Sequence, residues 1–481
     1  MNYYIGIDLG TSSCKGILAD RSGNIHKESS VSYPVLTPRE GWTEQRPEEW
    51  LEAAKKIIAE LSAGIESDIK GLSVAGQMHG LVTLDENDEV IRPCILWNDG
   101  RCESQTAYLN EVVGKERLSE LTGNIAFAGF TAPKLLWMYD EEPDNFERIK
   151  KIMLPKDYLA YMLTGVHSTD YSDASGMLLV DVKNKCWSDE MLGICRVRKE
   201  WMPTLYESFE VIGKVKEEFG LPDCVVTAGA GDNAAAAVGT GTVDHGSCNI
   251  SLGTSGTVFI PQDTFSVDPG NALHSFAHAN GKWHLMGCIL TAASARKWWL
   301  EDILNDADYG GDETLSENSK SDVVFLPYLV GERSPHNDVR ARGAFIGLSA
   351  STARSEMSRA IMEGVTFALK DCLEVARSNG VAPTRTTLCG GGARGKVWRH
   401  IIADALGLPV DILQTEQGPS LGAAILAMVG CGEYGSVEEA SHAIAQIAES
   451  IEPDFSKWDY YEKKYETFRR LYPAIKGAVQ C

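Results

Sequence analysis

The chain has 481 residues, 44% hydrophobic and 23% charged, which suits a globular protein of about two to four domains. Its 67 acidic against 45 basic residues leave a formal net charge of −22. That balance argues against nucleic acid or an anionic membrane surface as partner, while a small phosphorylated ligand needs only a local site.

The start, "MNYYIGID", has no basic, apolar leader, and no stretch is long and apolar enough to span a membrane. The 12 cysteines, from Cys14 to Cys481, contain no CxxC pair, so reduced thiols, no zinc site and a cytoplasmic location are expected. "YYIGIDLG" reads as a strand turning at Gly10, and "CKGILAD", "SGN" and "IHKESSVSY" as two more strands around a tight turn. "RPEEWLEAAKKIIAELSAG" follows as a helix with Trp50, Ala53, Ala54, Ile57, Ile58 and Leu61 on one face, then "IKGLSVAGQ" as a buried strand. Meander, helix, strand is the half-domain pattern of an actin-like fold. The second half repeats it: "SCNISLGTSGTVFIP" as strand, turn and strand, "SEMSRAIMEGVTFALKDCLEVARSNG" as a long helix, and "TTLCGGGARGKVWRHIIADALG" as strand, glycine run and helix. The boundary between two lobes is expected near Val243 to Ser247. The acidic stretch "DILNDADYGGDETLSENSKSD" reads as a surface excursion.

Chemistry concentrates in a few places. Leu-Gly-Thr-Ser occurs twice, at Leu9 and at Leu252, 243 residues apart. A strand ending in a tight glycine turn lets backbone N–H groups and a hydroxyl reach a phosphate. One copy per lobe would grip a phosphate chain from both sides of a cleft; two plain hairpin turns are the alternative. Lys15 follows the first copy, where it could pair with a phosphate, and Asp8 precedes it, where a carboxylate could hold magnesium through water. "LCGGGARGKVW" runs from strand through three glycines to a helix, a place for an anion or a planar base, or a packing-driven turn. In "VVTAGAGDNAAAAVG", Asp232 is a lone acid among small residues; it could be a general base, the cap of the following helix, or both, and spacing alone favours the cap. Gln77-Met78-His79-Gly80 and Trp97-Asn98-Asp99 end two strands and suit a polyhydroxy ligand; a structural histidine is the alternative.

With "GNIAFAGFTAPKLLW", "LPKDYL", "FLPYLVGERSPH" and "GAFIGL", these stretches run in order from about Tyr4 to Tyr472 and resemble the FGGY carbohydrate kinase family. The resemblance implies an α/β fold of two RNase-H-like, actin-type lobes around a deep cleft. Residues 1–245 would bind mainly sugar and residues 246–481 mainly ATP. The sugar and ATP are the implied small-molecule partners, magnesium the implied metal, and a homodimer is left open. Asp232 matches the family's catalytic base; Met78, His79 and Asn233 match its sugar ligands, with Gln77 and Trp97 joined to them as substrate-binding residues. Asp8 matches the catalytic acid near magnesium and the phosphates. Gly10, Thr11 and Lys15 match the first phosphate loop, Gly253, Thr254 and Ser255 the second, and Gly391, Gly392 and Ala393 the nucleoside turn. Trp298 falls where a residue lies along adenine, with Trp299 competing for that place. "GAGD" departs from the usual "GGGD", and Ala230 is expected to be tolerated unless a positive φ is needed there. "QMHG" and "WNDGR" point to kinases of D-xylulose, acting at its C5 hydroxyl, over those of glycerol. Another ketose or polyol, such as ribulose, and a non-catalytic actin-like nucleotide-dependent binding protein are the other readings.

Overall fold

The computed structural model describes residues 1–317, 320, 322–415 and 417–479. Two sheets organise it. In the first, β1 (Tyr3–Leu9) turns back into the antiparallel β2 (Ser13–Asp20), which pairs with β3 (Ile25–Ser32). Helix α1 (Pro47–Ser62) then crosses over, and β4 (Ile69–Gly76) lies parallel to β1, followed by β5 (Val225–Thr227) parallel to β4. The chain then enters α2 (Asp232–Gly239).

The expected face of α1 is the buried one: Trp50, Ala53, Ala54, Ile57, Ile58 and Leu61 all lie inside. Pro47 opens the helix, where its missing N–H costs nothing. Gly16 of β2 makes room for this helix, since a Cβ there would stand 2.3 Å from the Ile57 side chain.

The second sheet repeats the plan. β6 (Asn249–Leu252), β7 (Gly256–Gln262) and β8 (Trp283–Ile289) form the antiparallel set, α3 (Arg354–Ser378) crosses over, and β9 (Thr386–Cys389) runs parallel to β6. After α4 (Lys396–Leu406), β10 (Val410–Leu413) is parallel to β9 and leads into α5 (Gly418–Gly430). Strand order is β5-β4-β1-β2-β3 in one sheet and β10-β9-β6-β7-β8 in the other, so the two halves share one topology.

The halves are joined where α5 returns to pack on α2, β1 and β4. Glycines permit this. A Cβ on Gly422 would lie 1.8 Å from the Ala235 carbonyl oxygen, one on Gly239 2.1 Å from that of Gly418, and one on Gly6 1.9 Å from that of Ser420. A helix beyond residue 246 therefore roofs the first sheet.

The acidic stretch read as a surface excursion is partly core. Tyr309–Glu317 is a helix packed on α3 and α4, with Asp312 buried and accepting from the Ser358 hydroxyl at 2.6 Å. Arg296 and Arg354, each 3.7 Å from Asp312, offset its charge, which is why an acid tolerates that place. Residues 318, 319 and 321 of the stretch, and Cys481, lie outside the described residues. The other eleven cysteines are free thiols, most of them buried. Among the described residues no helix is long and apolar enough to cross a membrane.

Candidate active site

Sheet register brings two acids together. At the end of β4, Ala75 pairs with Asp8 of β1 on one side and with Ala230 on the other, and Gly76 pairs with Leu9 and Gly231. Asp8 and Asp232 therefore stand at the same end of the two strands that flank β4. Burial raises the Asp8 carboxyl to about 7, the nearby Asp232 charge adds to the rise, and Lys15 opposes it. Burial likewise raises Asp232 to about 6, against hydrogen bonds from Asn233. Those bonds, from Asn233 N (2.8 Å) and Nδ2 (2.9 Å), both reach Asp232 Oδ1. Oδ2 is left to meet a ligand.

Asp232 is the first residue of α2, and the cap position belongs to Gly231, whose side-chain-free backbone makes no capping bond. The capping alternative is therefore wrong. Gly229, with φ +78°, takes the left-handed conformation in "GAGD", so Ala230 sits unstrained in a strand. Behind this turn Lys156, of "LPKDYL", is fully buried with its Nζ 2.6 Å from Asp157 and 2.9 Å from Asp170. Asp170 in turn holds Ser172, whose hydroxyl accepts from Gly231 N at 3.2 Å. The buried pair thus steadies the residue preceding Asp232.

His79 is held on every side. Its φ of +70° is left-handed, and its carbonyl accepts from Lys134 Nζ (2.8 Å) and Thr131 Oγ1 (3.1 Å). Its ring Nδ1 donates to the Gly176 carbonyl (2.8 Å) and packs on Phe130 at 4.6 Å between centroids. A Cβ on Gly176 would stand 2.4 Å from the ring. Burial, reinforced by the Lys134 charge, lowers the imidazole pKa to about 3, so the ring is neutral and Nε2 is an acceptor. Lys134 itself is lowered to about 8 by burial.

A cavity of about 220 Å³ gathers Met78, His79, Trp97, Asp232 and Asn233 from the first half. Ser255, Met286, Cys288 and Arg333 join from the second half, and sequence reasoning missed the last three. Arg333 lies in "GERSPH", a stretch that carried only a resemblance. Gln77 does not line the cavity. It is 2% exposed, with Nε2 donating to Gln45 at 2.9 Å and Oε1 accepting from Thr11 Oγ1 at 3.1 Å. The Trp97 indole N–H donates to the same Thr11 hydroxyl at 3.0 Å. Asn98 and Asp99 are structural, bonding Thr43 and Arg101. The Thr11 hydroxyl, expected on a phosphate, bonds Gln77 and Trp97. Gly10 closes the turn through its N–H to Ser13 O at 3.1 Å. Lys15 is exposed on β2, near enough to act on Asp8.

A second cavity, of about 460 Å³, is lined by Leu252, Gly253, Thr254, Gly391 and Gly392, with Arg296, Lys297 and Tyr309 opposite. Gly390 has φ +88°, and a Cβ there would meet the Leu252 carbonyl oxygen at 2.7 Å, whereas Gly391 has open space around it. The glycine run does not sit at a helix start: a short turn, Gly391–Arg394, and Gly395 separate it from α4. Ala393 is 6% exposed and does not reach the cavity. Trp299 is core, its indole donating to Ser358 at 2.8 Å. Trp298 stacks beside Phe325, and neither of these two tryptophans lines the cavity, where Tyr309 and Trp398 supply the aromatic rings. Gly253 lines both cavities, so they meet at the second Leu-Gly-Thr-Ser turn.

Comparison with known proteins matches both halves of the chain. Residues 3–239 match the model for the N-terminal domain of the FGGY family of carbohydrate kinases, and residues 248–431 that for its C-terminal domain. The chain is similar to the xylulose kinase of Escherichia coli, 42% identical over 98% of this chain and 99% of that one. It superposes with a TM-score of 0.94 on the crystal structure of a xyloylose kinase from Brucella ovis, 39% identical, covering 99% of this chain and 100% of that one. A gluconate kinase from Lactobacillus acidophilus is 27% identical with a TM-score of 0.95, covering 99% of each chain.

Proposed function

Because the chain belongs to the FGGY family of carbohydrate kinases, we propose that it phosphorylates D-xylulose on the C5 hydroxyl with ATP as donor. The observation that carries the reading is the meeting of two cavities at Gly253, with Asp232 on the acceptor side and the glycine turns on the other. The choice of sugar rests on the xylulose kinase relatives, since a gluconate kinase superposes equally well and fold does not choose the substrate.

In this reading the acceptor hydroxyl faces Asp232 Oδ2, which takes its proton as the oxygen attacks the terminal phosphorus in line. A carboxylate raised to about 6 is ionised at neutral pH and basic enough for the task. Asn233 fixes its orientation through Oδ1. His79 Nε2 accepts from a sugar hydroxyl, and the Trp97 face covers the chain. The turn at Gly253 and Thr254 holds the phosphates, while Gly391 and Gly392 leave room for the nucleoside. Asp8 suits a magnesium ion held through water, because the Asp232 charge close enough to raise its pKa makes a cation beside it favourable. Such an ion would neutralise phosphate charge during transfer. Among the described residues no three-ligand cluster exists, as fits a metal held mostly by phosphates and water. The reading includes the division at 245/246 and a cytoplasmic place of work, where ATP is supplied and thiols stay reduced.

The test is coupled ADP release from purified protein across ketoses, polyols and sugar acids, with a no-acceptor control. D-xylulose should give the highest kcat/KM and a 5-phosphate product. A higher value for ribulose or a polyol replaces the substrate. ADP release indifferent to acceptor would favour a nucleotide-dependent binding protein.

A further inference from the structure

We infer that Arg333 is a substrate-binding residue, supplied by the second half of the chain, that grips the end of the acceptor remote from the hydroxyl being phosphorylated. This rests on the proposal that the cavity holds an acyclic polyhydroxy acceptor.

Four observations carry it. First, Arg333 lines the same cavity as His79, Asp232 and Asn233. Second, its guanidinium lies over the Phe127 ring, 5.1 Å from the centroid, so a side chain of one half reaches across to the other. Phe127 packs on Phe130 and Phe130 on His79, and the Arg333 charge acts on His79 and His274, so Arg333 stands on the His79 side of the cavity.

Third, its backbone is locked on both sides. Glu332 exchanges backbone hydrogen bonds with Asp338, and its carboxylate accepts from Leu290 N (2.9 Å) and Arg333 N (2.8 Å). Ser334 N donates to Cys288 O at 2.9 Å, and the Ser334 hydroxyl accepts from Cys288 N at 3.0 Å. The residue between these anchors projects from fixed backbone. Fourth, among the described residues its guanidinium makes no ion pair: it meets the weakly accepting Cys288 thiol, and the neighbouring Glu332, raised to about 8 by burial, gives its Oε1 to backbone donors.

A planar group with five donors and no acceptor needs oxygen acceptors in front of it. Neutral His79 offers an acceptor and Arg333 offers donors, so together they read a chain end bearing both a hydroxyl and a carbonyl. With the attacking hydroxyl at Asp232, an acyclic ketose puts its carbonyl end there. Because Arg333 and Asp232 come from different halves, a bound acceptor would tie the halves together before transfer.

The experiment measures KM for acceptor and for ATP in wild type, Arg333→Met and Arg333→Lys, using whichever acceptor wild type turns over best, with thermal melts for each protein. We expect acceptor KM to rise at least tenfold in Arg333→Met and at least threefold in Arg333→Lys, with ATP KM within twofold of wild type. A pentonate, which puts a carboxylate at the carbonyl end, should inhibit wild type competitively with acceptor and lose at least tenfold potency in Arg333→Met. If Arg333→Met does not fold, Arg333→Lys and pentonate inhibition of wild type decide. Acceptor KM within twofold of wild type in a folded variant, or equal losses for acceptor and ATP, overturns the inference and leaves the kinase reading standing. A wild-type protein that phosphorylates no acceptor overturns both.

Discussion

The two halves share a strand order and a four-residue turn, yet they use them differently. In the first half the turn between β1 and β2 spends its threonine hydroxyl inward, between Gln77 and Trp97. In the second half the turn between β6 and β7 leaves the Thr254 hydroxyl exposed on the larger cavity. The helices that follow also differ: α2 begins with Asp232, while α5, at the matching place, begins with Gly418 and Pro419. A repeated plan thus gives one half an acid, the proposed base, and a threonine braced between Gln77 and Trp97, and the other an open turn beside the glycine run. The shared plan ends where α2 and α5 begin, with an acid in one half and glycine and proline in the other.

The largest way to break this contrast is to erase the acid that only one half has. Asp232→Asn should lower kcat by roughly 10² to 10⁴ while ATP still binds, measured by turnover and by nucleotide titration. A folded variant keeping more than about a tenth of the activity would mean that the halves do not differ in this way. In wild type, protonating Asp232 removes the proton acceptor, so activity should be lost as pH falls below about 6 and level off above it. The pH profile of kcat/KM for acceptor checks the sign.

Next in size is Lys134→Met. It removes one of two donors holding the strained His79 carbonyl, so acceptor KM should rise about tenfold with ATP KM unchanged. Arginine in place of lysine, if it fits, should restore part of the loss. Parallel losses for both ligands would make Lys134 a fold residue only.

The paired turns give a smaller and sharper comparison. Thr11→Val strands the Gln77 carbonyl and the Trp97 N–H, which should cost about 1–3 kcal/mol, read as acceptor kcat/KM. Thr254→Val should act instead on ATP KM. Since the Thr11 hydroxyl bonds Gln77 and Trp97 while Thr254 faces the other cavity, the double variant should be additive within about 0.5 kcal/mol. Coupling well above that would show both hydroxyls on one phosphate chain, as the repeat alone suggests.

The smallest effect is expected at the glycine run. Gly391→Ala has open space for its methyl and should leave the melting temperature unchanged while raising ATP KM about twofold to fivefold. Gly390→Ala, at φ +88° and against the Leu252 carbonyl, should destabilise the protein measurably in a thermal melt.

The periodic features were legible in the sequence. Apolar spacing gave α1 its buried face and α3 its length, and the glycine turns gave the strand ends. What escaped was pairing over long separations. Nothing local in Thr11 says that its hydroxyl meets residues 66 and 86 positions later. Arg333 is a plain loop arginine until Ser334 bonds β8 and its own side chain covers Phe127. Trp298 and Trp299 illustrate the same limit, since an aromatic pair on a helix does not reveal that Tyr309 takes the cavity side.

The position of α5 also sets a schedule for the ribosome. The first sheet is complete when Gly231 has been made, but the helix that roofs it arrives only at Gly418–Gly430. At common synthesis rates that gap lasts on the order of ten seconds or more. Throughout it, the nascent chain presents the apolar seat that Leu421, Ile425 and Met428 will later fill. Premature termination or a stall in this window would release a half-built molecule with an uncovered sheet, a natural client for holding chaperones. A fragment ending at residue 245, expressed alone, should therefore be aggregation-prone, and adding residues 246–479 in trans should improve its solubility only when α5 can reach its seat.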